Sequence, residues 1–127
     1  MPYRAKVLLI EDSLDDTRVL QKAFEHEKEA LFDLQCADRL SAGLGQLSKG
    51  GIDLVLLDLL LPDSQGVKTL LEVRAKAPEV PVVVLTSSDD DTLAMEALEQ
   101  GASDYLIKGY VQVYPHLLTR SIRYALE

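Results

Sequence analysis

The sequence has little of what marks a secreted, disulfide-bonded or membrane-spanning chain. A single cysteine, Cys36, excludes an internal disulfide and a Cys-rich zinc site. Asparagine is missing altogether, which removes every N-glycosylation acceptor. The chain also lacks the apolar core of a signal peptide and any uncharged apolar run near the roughly 18 residues of a membrane span. We therefore expect a cytoplasmic protein with no membrane partner, in which Cys36 is a small buried residue.

Positive charge is scarce, since 13 Lys and Arg oppose 21 Asp and Glu for a formal net charge of −8. Binding to nucleic acid or to an anionic membrane uses an excess of Lys and Arg, so this balance argues against both partners. Chain breakers are also few, with 7 Gly and 5 Pro, while 47% of the residues are hydrophobic. We expect one packed domain over residues 1–127, because a chain of this length is too short to divide.

Short apolar segments alternate with longer amphipathic ones along the whole chain. Segments 6–10, 53–58 and 80–86 have the continuous apolar, β-branched character of strands buried on both faces. Two weaker segments, 32–36 and 104–107, are typical of edge strands. The segments of helical length are about 15–27, 39–49, 65–76, 90–100 and 112–126. This alternation predicts an α/β domain with a parallel sheet covered by helices on both faces.

Polar residues interrupt this pattern where the predicted strands end. Glu11 and Asp12 follow the first strand, Asp58 ends the third, Thr86 ends the fourth and Lys108 follows the fifth. The carboxyl ends of parallel strands meet at one edge of the sheet, which is where ligands bind in open α/β folds. We therefore expect these side chains to lie close together.

Several of these polar residues also have a purely structural explanation. Asp12 could open a turn or cap the helix that begins near residue 14, and Asp63 with Ser64 could cap the third helix. The stretch 87–91 has the composition of a helix cap followed by an acidic first turn. Lys108, taken alone, is most simply interpreted as a solvated side chain.

The combination of these groups indicates more than capping. Three carboxylates at one sheet edge repel one another, and their burial costs free energy unless a cation is present. Mg2+ suits such a set, because it prefers oxygen ligands and is held by carboxylates together with phosphate oxygens. A cation, a lysine and a hydroxyl around one carboxylate are the groups that phosphoryl transfer requires. Asp58 would be the nucleophile, since a carboxylate can form an acyl phosphate.

The ordered set of motifs resembles the receiver domain of two-component response regulators. The motifs are Glu11-Asp12, Asp58-Leu-Leu-Leu-Pro62-Asp-Ser-Gln-Gly66, Thr86-Ser87 and Tyr105-Leu-Ile-Lys108. The resemblance covers essentially the whole chain, and it implies a flavodoxin-like (βα)5 domain with the strand order 2-1-3-4-5. It also implies a phosphoacceptor domain of a phosphorelay rather than an enzyme that turns over a substrate.

The resemblance assigns roles to individual residues at the phosphoryl site. It implies that Asp58 accepts a phosphoryl group from a histidine kinase or a histidine phosphotransfer protein. Mg2+ would be held by Asp12, Asp58 and the backbone carbonyl of Leu60, with Glu11 contributing through water. Lys108 would pair with the phosphoryl oxygens.

The resemblance also implies a switch and an output surface. Thr86 would donate its hydroxyl to the phosphoryl group, and Tyr105 has the position of the family's switch aromatic, which turns inward as Thr86 moves. The signal would reach a face around the last two helices, where a downstream effector protein, a fused effector domain or a second copy in a phosphorylation-dependent homodimer would bind. A phosphoryl group adds about 1.5 to 2 negative charges, which is enough to favour a second arrangement of the loop after Thr86.

The sequence departs from the family pattern at two places. Gly109 replaces the proline that follows the lysine in most receivers, so a looser or differently shaped loop before the last helix is expected. Leu60 and Ser88 occupy positions that in this family help to set how fast water attacks the acyl phosphate. We therefore expect a phosphorylated lifetime that differs from that of chemotaxis-type receivers.

Two other classes of function stay open from the sequence. A Mg2+-dependent phosphohydrolase would place similar carboxylates on such an edge, but it would need a second Asp two residues after Asp58, where Leu60 stands. A docking module that is never phosphorylated could keep the fold alone, although every expected site residue is retained here.

Overall fold

Parallel strands connected by helices make up the computed structural model, which describes residues 4–25, 32–87 and 91–127. The apolar, β-branched segments form the strands and the amphipathic segments form the helices, as their periodicity predicts. In chain order the elements are β1 (Ala5–Ile10), α1 (Leu14–Glu25), β2 (Phe32–Ala37), α2 (Leu40–Ser48), β3 (Leu54–Asp58), β4 (Leu60–Leu61), β5 (Ser64–Gln65), α3 (Val67–Lys76), β6 (Val82–Thr86), α4 (Asp91–Glu99), β7 (Asp104–Ile107), α5 (Lys108–Val113) and α6 (His116–Leu126).

The main sheet has the order β2-β1-β3-β6-β7, and every pair of neighbours in it is parallel. Strands β4 and β5 form a separate antiparallel hairpin directly after β3. When this hairpin is left out of the count, the order is the 2-1-3-4-5 of the flavodoxin-like fold. The predicted α/β class and strand order are therefore confirmed.

Each face of the main sheet has its own apolar core. On one face, Leu8, Ile10 and Leu57 pack with residues of α2, α3 and α4. On the other face, Leu9 and Leu56 pack with residues of α1, α5 and α6. Successive strand residues point to opposite faces, so continuous apolar runs are needed to supply both cores. Strands β3 and β6 are buried along their whole length, whereas the edge strands β2 and β7 are only partly covered.

The single helix predicted over 112–126 is wrong, because the chain forms two helices that meet at Tyr114 and Pro115. Proline disfavours the helical conformation of the residue before it, and Tyr114 has φ −125° and ψ 78°. Helix α5 also begins at Lys108, directly after β7. Gly109 therefore lies inside a helix, so the expectation of a looser loop is wrong, while the alternative, a differently shaped connection, agrees with the structure.

Cys36 is exposed, which contradicts the expected burial of this residue. It lies in β2, which pairs with β1 alone in the sheet that the structure describes. Side chains of such an edge strand are covered less completely than those of central strands. Its backbone is joined to α2, since Gln46 Nε2 donates to the Cys36 carbonyl at 3.1 Å.

The helices relate to two further expectations, the cap predicted over 87–91 and the lack of a membrane-spanning segment. Helix α4 begins at Asp91, and of the predicted cap over 87–91, residues 88–90 lie outside the described part of the chain. Within the described ranges, no helix is both long enough and apolar enough to cross a membrane.

Candidate functional site

Polar side chains are buried at the edge where the strands of the main sheet end. Glu11 follows β1, Asp58 ends β3, Thr86 ends β6 and Lys108 follows β7. All four are buried, while Asp12, next to Glu11, is exposed. The structure thus brings the predicted residues to one edge of the sheet. Because a buried polar group costs free energy unless it is paired, the partners of these side chains decide what the site can do.

Asp58 is held by its own backbone turn and by a lysine. The backbone N–H of Leu60 donates to Asp58 Oδ1 at 3.0 Å, and Lys108 Nζ donates to Asp58 Oδ2 at 3.2 Å. One carboxylate oxygen is therefore fixed by the backbone, while the other faces a cation. Leu60 begins the β4–β5 hairpin, so this hydrogen bond also ties the hairpin to the end of β3. A carboxylate held in this way can act as a nucleophile.

Lys108 lies in an acidic pocket formed by Glu11, Asp12, Asp16 and Asp58. Its Nζ atom is 2.5 Å from Glu11 Oε2, 2.9 Å from Asp16 Oδ2 and 3.2 Å from Asp58 Oδ2. Burial lowers the pKa of Lys108, but its hydrogen bonds and charge interactions with these carboxylates outweigh burial and raise the pKa above its ordinary value. Lys108 therefore carries its charge at neutral pH and neutralises part of the pocket.

Glu11 is the most deeply buried carboxylate of the pocket, with 1% of its side chain exposed. Burial raises the pKa of Glu11 to about 7, and the neighbouring Asp58 acts in the same direction. Its contact with Lys108 and the N–H of Ser13, which donates to Glu11 Oε1 at 3.1 Å, act against this rise. A further cation beside Glu11 would favour its charged form.

Three carboxylates of the pocket are close enough to share a cation. Glu11, Asp12 and Asp58 each bring one oxygen into a group whose atoms lie within 4.8 Å of one another. Such an oxygen-only set suits a hard divalent ion such as Mg2+, which binds through few carboxylates and keeps several waters. The exposed Asp12 opens the group to water, so the residues present fit Mg2+. Lys108 contacts Glu11 and Asp58, so its ammonium would compete with the ion for the same oxygens.

Asp63 caps α2 and not α3, so its predicted role is wrong. Its carboxylate accepts the backbone N–H of Leu40 at 2.8 Å and that of Ser41 at 3.0 Å. The first N–H groups of a helix have no partner within the helix, and these two bonds lower the pKa of Asp63. The predicted cap by Ser64 also fails, since the N-cap of α3 is Gly66 with no side-chain hydrogen bond. Asp63 instead joins the β4–β5 hairpin to α2.

The N-terminal end of α1, with the residue that precedes it, supplies two residues that the sequence analysis did not identify. Ser13 Oγ accepts the backbone N–H of Asp16 at 3.2 Å and so caps α1, which leaves Asp12 free of that role. Asp16 reaches into the pocket and contacts Lys108. The spacing offered a signal, because Asp16 follows Asp12 by four residues, which is about one helical turn.

Thr86 and Tyr105 lie on neighbouring strands, where β6 and β7 pair Thr86 with Ile107. Tyr105 is half-buried and packs against the core on the α2–α4 face. Its backbone N–H donates to Asp104 Oδ1 at 2.8 Å, and the hydroxyl of Ser121 donates to Asp104 Oδ2 at 2.6 Å. Asp104 therefore connects the strand of Tyr105 to α6.

Comparison with known proteins gives a consistent family assignment. A family model described as the response regulator receiver domain matches residues 7–114. The swarming motility regulation protein RssB of Serratia marcescens is 36% identical over 114 residues, which cover 90% of this chain and 50% of that protein. The KDP operon transcriptional regulatory protein KdpE of Escherichia coli K12 is 35% identical over 104 residues, covering 82% of this chain and 44% of KdpE. The chain thus spans about half the length of these curated relatives.

Solved structures agree with this assignment. The response regulator receiver domain protein of Clostridium thermocellum has a TM-score of 0.81 and 27% identity, with 96% of this chain and 94% of that one covered. The putative response regulator of Chloroflexus aurantiacus has a TM-score of 0.84 at 24% identity, covering 97% and 98%, which shows the shared fold. With the match over residues 7–114 and the order of the sheet, the chain belongs to the response regulator receiver domains of two-component systems.

Proposed function

We propose that Asp58 is the phosphoacceptor of this receiver domain and takes its phosphoryl group from a phosphohistidine. The donor would be a histidine kinase or a histidine phosphotransfer protein. The observation that carries the proposal is the setting of the Asp58 carboxylate, with one oxygen fixed by the N–H of Leu60 and the other facing Lys108. This arrangement supports a buried, oriented nucleophile beside a cation.

The transfer follows from the groups around Asp58. A carboxylate oxygen of Asp58 attacks phosphorus, the P–N bond to the donor histidine breaks, and the imidazole nitrogen keeps the electron pair of that bond. Lys108 would pair with the phosphoryl oxygens, and Thr86 would donate its hydroxyl to them. Both residues stand at neighbouring strand ends, which keeps them near the reacting group.

Glu11, Asp12, Asp58 and the backbone carbonyl of Leu60 would hold Mg2+. The grouping of the three carboxylates within 4.8 Å supports this assignment. When bound, the ion supplies charge neutralisation for the phosphoryl oxygens. Phosphorylation then requires Lys108 to release Asp58, because the ammonium contacts this carboxylate in the structure.

The output of the domain would lie on the face around α4 and the α5–α6 pair. Movement of Thr86 toward the phosphoryl group would be followed by Tyr105, whose strand is joined to α6 through Asp104. The partner would be an effector protein, a fused effector domain or a second copy of the chain. We also propose that residues 1–127 act as one receiver domain in the cytoplasm.

Intact-mass measurement tests the acceptor directly. After incubation with acetyl phosphate and Mg2+, the protein should gain one phosphoryl group, and Asp58→Asn should gain none. Asp15→Asn is the matched control, because Asp15 is an exposed carboxylate on α1 and its variant should still be modified. Repeated turnover of a phosphomonoester would instead indicate a phosphohydrolase. No mass increase with any donor would indicate a docking module and overturn the proposal.

A further inference from the structure

Asp16 contacts the lysine of the site without belonging to the carboxylates that could share a cation. Its Oδ2 atom accepts a hydrogen bond from Lys108 Nζ at 2.9 Å, whereas the cation group consists of Glu11, Asp12 and Asp58. We propose that Asp16 is a positioning residue that holds the Lys108 ammonium beside Asp58. This inference rests on the function proposed above.

The number of donors on the ammonium explains why this contact matters. Lys108 has three N–H groups and faces the carboxylates of Glu11, Asp16 and Asp58. Glu11 and Asp58 are the two that must turn toward a divalent cation or a phosphoryl group. Asp16 has neither task, so its contact with Lys108 is the one that can persist through the reaction.

The position of Asp16 suits a fixed anchor. Its backbone N–H donates to the capping hydroxyl of Ser13, and α1 is buried against the sheet through Leu20 and Phe24. Helix α1 also packs against α5, which begins at Lys108. The side chain is 37% exposed, so it lies at the rim of the acidic pocket. Asp16 therefore reaches the lysine from a rigid element on the outer side of the site.

Loss of this anchor has a defined consequence. Without the charge of Asp16, the ammonium of Lys108 would rest on Glu11 and Asp58 alone. Once a cation and a phosphoryl group engage those two carboxylates, no carboxylate would remain to hold the ammonium in place. We expect slower phosphorylation even when Mg2+ is saturating, because displacement of a catalytic cation by a fraction of its contact distance is costly.

The first experiment measures phosphorylation by acetyl phosphate as a function of Mg2+ concentration in the full chain. Asp16→Asn should lower the rate at saturating Mg2+ about tenfold, and Asp16→Glu should restore most of it. Asp15→Asn removes the same charge from the same turn of α1, and its rate should stay within about twofold of the wild type. If Asp16→Asn matches Asp15→Asn, or if its defect disappears at saturating Mg2+, the proposal is overturned.

A second measurement keeps this inference separate from the proposed function. In the metal-free protein with 15N-labelled lysine, the ammonium protons of Lys108 should exchange slowly and give a signal that Lys108→Arg removes. Asp16→Asn should broaden or shift this signal, and Asp15→Asn should leave it unchanged. An unchanged signal in Asp16→Asn would overturn the anchor, whatever the phosphorylation result. Absence of any phosphoryl adduct in the wild type would overturn the acceptor role while leaving the contact in place.

Discussion

Lys108 and Arg4 each pair with carboxylates, but in opposite surroundings. Lys108 is buried and contacts Glu11 and Asp58 at the carboxyl edge of the sheet. Arg4 lies next to the other end of β1, where its Nη2 atom is 2.7 Å from Asp33 Oδ1 and the two side chains are 55% and 47% exposed. The Arg4 guanidinium lowers the pKa of Asp33 through a hydrogen bond and through its charge.

The difference shows what each arrangement is suited to do. Water screens the exposed pair between Arg4 and Asp33, so such pairs contribute little to stability. In the acidic pocket, a buried charge is stabilised by the neighbouring charges because water is largely excluded. Removal of one partner therefore leaves another charge uncompensated. The pocket can therefore respond strongly to a new charge, whereas the surface pair cannot.

Removal of the buried cation should have the largest effect. Lys108→Met leaves Glu11 and Asp58 buried without their counter-charge, and the metal-free protein should lose about 3 kcal/mol of unfolding free energy. Mg2+ should restore more stability to this variant than to the wild type, because no ammonium competes for the oxygens. Urea unfolding with and without Mg2+ measures both effects.

The control for this experiment is Lys68→Met, which removes an exposed lysine of α3 and should unfold like the wild type. Equal unfolding free energies for Lys68→Met and Lys108→Met would contradict the contrast between buried and exposed cations.

Removal of an exposed carboxylate of the pocket should separate metal binding from stability. Asp12→Asn should leave the metal-free melting temperature unchanged, because the side chain is exposed and caps no helix. At a Mg2+ concentration ten times the wild-type Kd, the ion should raise the unfolding free energy of the wild type by about 1.4 kcal/mol. The variant should gain less than half of this, since its affinity should fall about tenfold. Thermal unfolding at a series of Mg2+ concentrations measures this stabilisation. An equal stabilisation of both proteins by Mg2+ would count against the cation site.

Removal of the Asp63 cap on α2 should have a smaller effect on stability, and this effect should depend on pH. Asp63→Ala should lower the melting temperature by a few degrees at neutral pH, because two N–H groups of α2 lose their acceptor. The folded protein lowers the pKa of Asp63, so its contribution is present above the ordinary value and is lost as the pH falls through the lowered one. Melting curves at neutral and strongly acidic pH should show the difference shrinking in acid.

Asp38→Ala is the matched control for the cap, because Asp38 is an exposed carboxylate two residues before α2. A loss of stability in Asp63→Ala that is the same at every pH would contradict this electrostatic account.

The surface pair should have the smallest effect. Asp33→Asn should change the melting temperature by about one degree or less, and the change should vanish at about 1 M salt. The lowered pKa of Asp33 means that the contribution is present at neutral pH and disappears in strong acid. A double-mutant cycle with Arg4→Gln isolates the pair. A coupling as large as the effect of Lys108→Met would abolish the distinction between the two regions.

Much of the fold and the site was readable from local patterns. Continuous apolar runs predict strands buried on both faces, and polar residues at their ends predict the edge that holds Asp58 and Lys108. Both properties depend on short stretches of sequence and on the general geometry of parallel sheets. The strand order itself came from the family resemblance and is confirmed by the main sheet.

What the sequence did not reveal depends on partners that are far apart in the chain. Asp63 accepts hydrogen bonds from α2, which lies more than twenty residues earlier in the chain. Asp16 accepts a hydrogen bond from Lys108, which is 92 residues away in the sequence. The spacing of residues within a short stretch of sequence does not predict such long-range contacts. The proline at 115 does indicate a helix break at Tyr114, whereas the amphipathic pattern over 112–126 favours one continuous helix.

The start of α5 at Lys108 has a mechanical consequence. Strand β7 passes into α5 without an intervening loop, so a change in the backbone at Lys108 would act directly on this helix. The exposed side chains of Tyr110 and Val113 lie on the same short segment. Any reorientation of the backbone at Lys108 should therefore move the exposed side chains of Tyr110 and Val113 together.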